Sequence, residues 1–510
     1  MNTNYPVIVG VGQLTNHPAT VDDAIEPLEM MATVARAAER DAGVAGLLPK
    51  VDSIQVPNVM SWQYPDLPGA LAERISADPP QTLHTTIGGE TPQRLVNETA
   101  QAIVEGRTRI ALIAGAETLA SRRVARKTRQ HLPWTERGTP GQLVGDSRTA
   151  FTEIEARHGA TLPNRMYPLF ENAIRAHLGH SIDDHQAHLG RLYSRLSAVA
   201  ADNPDAWFQT ALSPDDITNI TPDNRWVSFP YPKLMNAMIE IDQSAAVILT
   251  GTETARELGV PEDRWVYLRG CGDAYDTWFV SDRANYYESP AIRAATQRAL
   301  GMAGISVDDI AAFDLYSCFP SAVQMAMGAL GLSADDPRPL SVTGGLPYAG
   351  GPGNNYVTHS ISRMVERLRE RGQEFGMVTG LGWFFTKHSA GVYSTEPPDG
   401  DWQRTDPAVD QAQVDALESP PFVEQAEGDA VVETYTVAFD HDGNPSQGII
   451  IGRLSGDSGA RPDGRPSGRF FANTPSDADL LWQMTREEFV GRPGRVTHDA
   501  STQRNVFTPA

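Results

Sequence analysis

Of the two cysteines in the chain, Cys271 and Cys318, only the second stands where chemistry is expected. It belongs to Tyr316-Ser317-Cys318-Phe319, directly after the run 313–315. A thiolate there would exchange one thioester for another at little energetic cost. The alternative is a buried thiol acting as a small hydrophobe, the commoner fate of a free cysteine. Cys271, in Arg-Gly-Cys-Gly-Asp, reads as structural. His359 follows Gly-Gly-Pro-Gly-Asn-Asn and falls off the apolar stripe of its helix. His388 lies between two apolar runs, where a hairpin tip would project it. Either imidazole titrates near neutral pH and can act as a general base, or either is a hydrogen-bonded structural histidine. Tyr348, in Gly-Gly-Leu-Pro-Tyr-Ala-Gly-Gly, adds a phenol as a candidate acid or base.

Two glycine turns, residues 85–90 (TTIGGE) and 350–353 (GGPG), each precede a predicted helix. A helix start offers unpaired N–H groups and positive potential. Two such starts facing each other would hold an oxyanion, such as the enolate or tetrahedral oxygen of a thioester. Gly88, Gly89 and Gly351 are therefore binding candidates, unless the glycines serve only tight turns and close packing. His177, His180, His185 and His188 match no known ligand spacing, so no metal is expected. Gly10-x-Gly12 lacks the pattern that would make it a dinucleotide site.

These residues need a scaffold, and the pattern supplies one twice. Residues 5–12 read as a buried strand, 25–43 as a helix ending on glycine, and 51–56 as a strand. After the first glycine turn a helix spans 91–105, with Thr91 as N-cap and Pro92 at the first helical position. Residues 109–117 form an apolar strand of the kind a sheet covered on both faces demands. The same order returns as a helix over 290–304, a strand after 308, the second glycine turn, a helix over 356–368 and an apolar strand over 375–381. This predicts an internal duplication. A polar insertion rich in Arg, His and Asp fills 120–235. Residues 396–430, rich in Pro, Asp and Glu, fit a linker, and 431–510 read as a small all-β domain, a barrel rather than a sandwich.

The 510 residues, 40% hydrophobic and 21% charged, suit two or three globular domains. A net charge of -22 disfavours nucleic acid and anionic membranes as partners, although residues 105–129 are locally rich in arginine. Two distant cysteines, no signal peptide and no bilayer-length apolar run point to the cytoplasm.

Several segments resemble the thiolase superfamily, closest to its sterol-carrier-protein type and bacterial thiolase-like group. They are QRLVNETAQAIVEGRTRIALIAGAETLAS, IDQSAAVILTGTETARELGV, PAIRAATQRALGMAGISVDDIAAFDLYSCF and GGLPYAGGPG, and the resemblance covers roughly residues 5–395. It implies an α/β duplicated thiolase fold of five layers, α-β-α-β-α. The N-terminal half would span 1–284, with the insertion at 120–235, and the C-terminal half 285–395. A linker at 396–430 and an OB-like barrel at 431–510 would follow. The resemblance also places the family's catalytic positions. Its nucleophilic cysteine falls near Ile87-Gly88-Gly89, its Gly-His-Pro histidine on Gly351, and its second cysteine on the Gly380-Leu381-Gly382 stretch. The third motif puts Tyr316 at its Asn or His position and Cys318 at the Cys of His-Asp-Cys-Phe. Both classical cysteines and the key histidine are absent, so the two-cysteine mechanism is not expected. The implied ligand is an acyl-CoA-type thioester, taken as substrate with no bound cofactor, in a homodimer or a monomer. Three functions remain open: acyl transfer through Cys318, retro-aldol cleavage of a β-hydroxyacyl-CoA with Tyr316, Tyr348 or His388, and CoA or lipid binding without catalysis. Thiolase-like retro-aldolases that use tyrosines are the analogy for the second.

Overall fold

The computed structural model describes residues 4–455 and 468–510. The strands before the C-terminal domain are β1 (Pro6–Asn16), β2 (Ser53–Val56), β3 (Gln81–His84), β4 (Ile110–Thr118), β5 (Trp226–Ser228), β6 (Tyr231–Pro232), β7 (Asp242–Gly251), β8 (Val266–Tyr275), β9 (Ile310–Asp314), β10 (Phe375–Gly382) and β11 (Lys387–Ser394). Nine of them form one sheet in the order β3-β2-β4-β7-β1-β8-β11-β10-β9. The order is symmetric about its centre. β2–β4 is parallel, and β4–β7 and β7–β1 are antiparallel. On the other side β9–β10 is parallel, and β10–β11 and β11–β8 are antiparallel. The two halves meet where β1 pairs with β8, Val7 opposite Tyr267. The duplication read in the sequence is present, with β3 as the first half's extra strand.

The repeat extends to single residues. A Cβ on Gly10 or Gly12 of β1 would strike carbonyl oxygens of the helix Pro27–Asp41, and one on Gly270 or Gly272 of β8 would strike those of the helix Pro290–Ala303. Each Gly-x-Gly therefore lets an outer helix lie against its strand, a packing use of glycine. Two further helices, Thr91–Val104 and Tyr356–Arg371, contact strands of both halves and form the central layer. The layers run helix, sheet, helices, sheet, helix: the thiolase fold.

The insertion is mainly helical, with its two longest helices at Pro163–Leu178 and Ile182–Asp202. The segment 396–430 is not a loose linker. Trp402 is buried and its indole N–H donates to Leu268 O at 2.7 Å. A helix, Pro407–Asp415, follows, and its Asp410 accepts two bonds of 2.7 Å from Arg298. Arg404 also pairs with Asp273 at 2.6 Å, and Gln411 bonds both backbone groups of Tyr275; acidic and proline-rich composition hides this docking because polar side chains carry most of it. Beyond it, β12 (Gly428–Phe439), β13 (Pro445–Leu454), β14 (Arg469–Asn473), β15 (Pro493–Asp499) and β16 (Arg504–Pro509) close into a five-stranded barrel, β13-β14-β16-β15-β12 and back to β13. β5 pairs with β12, Ser228 opposite Ala438, so the insertion lends the short hairpin β5–β6 to the barrel's sheet. Among the described residues no helix is long and apolar enough to cross a membrane.

Candidate active site

The first central helix is buried along most of its length, with Glu98 its exposed residue, so its buried polar residues must find partners inside the protein. Gln93 Nε2 donates to Asn97 Oδ1 at 2.8 Å, and Asn97 Nδ2 donates to Asp273 of β8 at 3.0 Å. Tyr393 of β11 donates its hydroxyl to Gln93 Oε1 at 2.8 Å. This network fixes the head of the helix against the second half of the fold. The two glycine turns meet there, where Gly88 N donates to Asn354 Oδ1 at 2.9 Å.

Tyr316 closes the chamber from the second half. A Cβ on Gly89 would collide with the Tyr316 hydroxyl and with Leu381 O, and one on Gly380 would press on the backbone of Glu90. Gly88, Gly89, Gly380 and Tyr316 thus come together. Gly351 does not join them directly; its N–H donates to Met238 O at 2.8 Å, tying the second turn to the loop that leads into β7. Burial drives the Tyr316 phenol well above its usual range, with Cys318 and Tyr356 adding to the effect. A cavity beside Tyr316, lined also by Gly380, Leu381 and His388, holds about 10 Å³, the room one water needs.

Sequence reading missed the two charged groups at this point. The helix is capped by Glu90, not Thr91, and Glu90 is 1% exposed. Its Oε2 has no hydrogen-bond partner. Burial raises its carboxyl above the ordinary carboxylate range, opposed by the charges of Lys387 and Arg94. Lys387, 2% exposed at the start of β11, donates from Nζ to Ile87 O at 2.8 Å. Burial lowers its ammonium, while Glu90 pulls it back up. The available signal was a glutamate closing a Gly-Gly turn just before a helix predicted to be buried.

The remaining candidates are all buried. Cys318 is buried, and its thiol is pushed up to about 12 by desolvation, with the Tyr167 hydroxyl opposing. Tyr348 is buried edge-on to Tyr193, with ring centroids 6.2 Å apart and a hydroxyl without a partner. His359 is buried on the second central helix with Nδ1 2.9 Å from Gln13 Oε1; burial depresses it to about 3. His388 is not at a hairpin tip. It lies inside β11 opposite Leu381, with Nε2 2.9 Å from Phe385 O, and burial depresses it to about 4. Burial thus favours the neutral form of both imidazoles. In the insertion, His185 Nε2 is 2.5 Å from the buried carboxylate of Glu171, which also accepts from Tyr231 at 2.6 Å.

Comparison with known proteins agrees with this architecture. The family described as "Thiolase-like protein type 1 additional C-terminal domain" matches residues 410–501. A search of curated proteins finds no match. Among solved structures, a monomeric SCP2-thiolase-like protein type 1 from Mycobacterium smegmatis is similar over 100% of both chains, at 36% identity and TM-score 0.85. The Ltp2-ChsH2(DUF35) aldolase is similar over 77% of this chain and 98% of its own, at 17% identity and TM-score 0.60. The acetyl-CoA acetyltransferase of Syntrophomonas wolfei covers 77% of this chain and 100% of its own, at 14% identity and TM-score 0.55. The last two likenesses show the fold alone. The first spans the whole chain, barrel included, and by it this protein belongs to the SCP2-thiolase-like proteins of type 1.

Proposed function

We propose that the protein acts on a CoA thioester through proton transfer, making or breaking a carbon–carbon bond without a thiolate. The observation that carries this reading is the phenol of Tyr316 set against the glycine turn of the first central helix, where no thiol stands. In retro-aldol cleavage of a β-hydroxyacyl thioester, the β-hydroxyl gives up its proton and the Cα–Cβ bond breaks. The β-carbon leaves as a carbonyl product. The bonding pair becomes a thioester enolate, which is then protonated at carbon. Helix-start N–H groups suit an enolate oxygen, and a neutral phenol suits a relay, taking the hydroxyl proton as it passes its own to the enolate carbon. Acyl transfer through Cys318 is disfavoured: a thiol at about 12 is ionised in roughly one molecule in 10⁵ at pH 7. The aldolase and the acetyltransferase that share the fold carry names consistent with thioester and carbon–carbon chemistry.

The test is cleavage of a β-hydroxyacyl-CoA panel, followed by mass spectrometry of the acyl-CoA product. Tyr316→Phe is expected to lower turnover by about 10²–10⁴-fold, while Cys318→Ala leaves it within about two-fold. Full turnover by Tyr316→Phe would sink the phenol's role. A covalent acyl adduct that vanishes in Cys318→Ser would restore acyl transfer. A second reading, a thioester binder without turnover, draws on the cavity of about 10 Å³, which leaves an acyl chain no space unless a surrounding segment moves. It predicts a higher melting temperature with CoA thioesters and no product. The M. smegmatis relative is described as monomeric, and we propose the same state here.

A further inference from the structure

Glu90 has no evident structural reason to be a glutamate. Helix starts favour short side chains that reach back to the N–H groups of the first turn, and Glu90 makes no such bond. A buried carboxyl oxygen without a partner costs stability that a glutamine or an apolar residue would spare. The surroundings are nevertheless shaped to admit it. A Cβ on Gly88 or on Gly382 would fall on Oε2. Neither glycine has positive φ, so each provides room rather than a special backbone conformation. These glycines come from opposite halves of the fold and clear space around the same oxygen. Lys387 adds a positive charge at the helix head, its Nζ held on Ile87 O and standing 5.6 and 5.9 Å from the ring centroids of Trp278 and Trp383. A buried acid with one unpartnered oxygen beside a buried cation, in a chamber that also holds a phenol, is an arrangement typical of proton-transfer sites.

We propose that the Glu90 carboxyl exchanges a proton with the α-carbon of a bound thioester, with Lys387 as a positioning residue that keeps the carboxylate form accessible. The inference rests on the thioester reading above. In one direction the carboxylate takes the α-proton, and the C–H bonding pair moves into the enolate. In the other the carboxylic acid returns a proton to carbon and ends as carboxylate. With no second substrate present, the two steps together exchange the α-hydrogens of a simple acyl-CoA with solvent. That is an activity separate from any carbon–carbon cleavage.

The experiment incubates the full-length protein with acetyl-CoA and propionyl-CoA in deuterated water and follows mass gain in the thioester. Wild type is expected to incorporate deuterium, and Glu90→Gln to be slower by about 10²–10⁴-fold while keeping the melting-temperature rise caused by the same thioesters. The groups facing Glu90 are Lys387, Arg94, Asp273, Tyr275 and Tyr316. Exchange should rise with pH as Glu90 ionises, and Lys387→Met should move that rise to higher pH, a shift that a purely structural lysine would not produce. Equal exchange in wild type and Glu90→Gln would overturn the proposal and leave the thioester reading intact. Thioester binding with no exchange in wild type would overturn it in favour of a silent carboxyl. Absence of any thioester binding would overturn both together. Should Glu90→Gln fold poorly, the pH rise in wild type and its displacement in Lys387→Met decide the matter.

Discussion

Glu90 can be tested without any substrate. Its carboxyl is raised in the folded protein, so the fold prefers the protonated form. The stability this contributes is complete below the unfolded value, 4.5, and is lost as pH rises through the folded value. Glutamine imitates the protonated acid at every pH. Glu90→Gln should therefore match wild type under acid conditions and become the more stable of the two toward neutral and alkaline pH. Melting curves across that range check this, and a constant difference between the two proteins would show that Glu90 is not held in the raised state. At this scale the sequence was least informative. Tyr316 could be read from the family resemblance, and the glycines from their turns ahead of predicted helices. The role of Glu90 depends on what surrounds it, and Gly382, nearly 300 residues away, does much of the surrounding. The misread imidazole has a local cause. The turn before β11 takes its positive φ at Trp383 (φ 56) and Phe385 (φ 61), where glycine or asparagine would normally announce a turn. The strand therefore begins with Lys387, and His388 is drawn inside.

Among elements, the contact between the end of β10 and the start of the first central helix is the one the chamber depends on. Gly382→Ala would place a methyl group on the Glu90 carboxyl, and overpacking of this kind costs about 1–3 kcal/mol. In a Glu90→Ala background the obstacle is gone, so the same substitution should cost distinctly less. Urea denaturation of the four proteins measures the coupling, expected at about 0.5–3 kcal/mol; additive effects would mean that the two residues do not share space. The elements themselves were largely legible. Strand and helix order in both halves, and the repeat they form, follow from apolar runs and glycine positions. The docked segment 396–430 was not, because its contacts come from polar or isolated residues that leave no apolar period.

At the scale of the whole molecule, the barrel is built into the rest of the fold. Arg469 of β14 is fully buried. It makes a bidentate pair with Glu433 at 2.7 and 2.8 Å and donates to the carbonyls of Ser281, Arg283 and Ala284 in the core. Arg175 of the insertion reaches Glu488 with a bond of 2.8 Å, and Asn172 donates to Tyr435 O at 2.9 Å. Arg469→Met leaves Glu433 paired with Arg453 at 2.8 Å but removes the donor to three backbone carbonyls, and a loss of about 1–3 kcal/mol is expected. A single cooperative thermal transition at lower temperature would fit a barrel integral to the fold, whereas an early separate transition would show that it unfolds independently. The shared sheet has a consequence for assembly. A barrel supplied by a second chain would occupy this face only as its concentration allows. A barrel tethered through residues 396–430 meets its face at an effective concentration set by the tether, so occupancy of that face should not change when the protein is diluted.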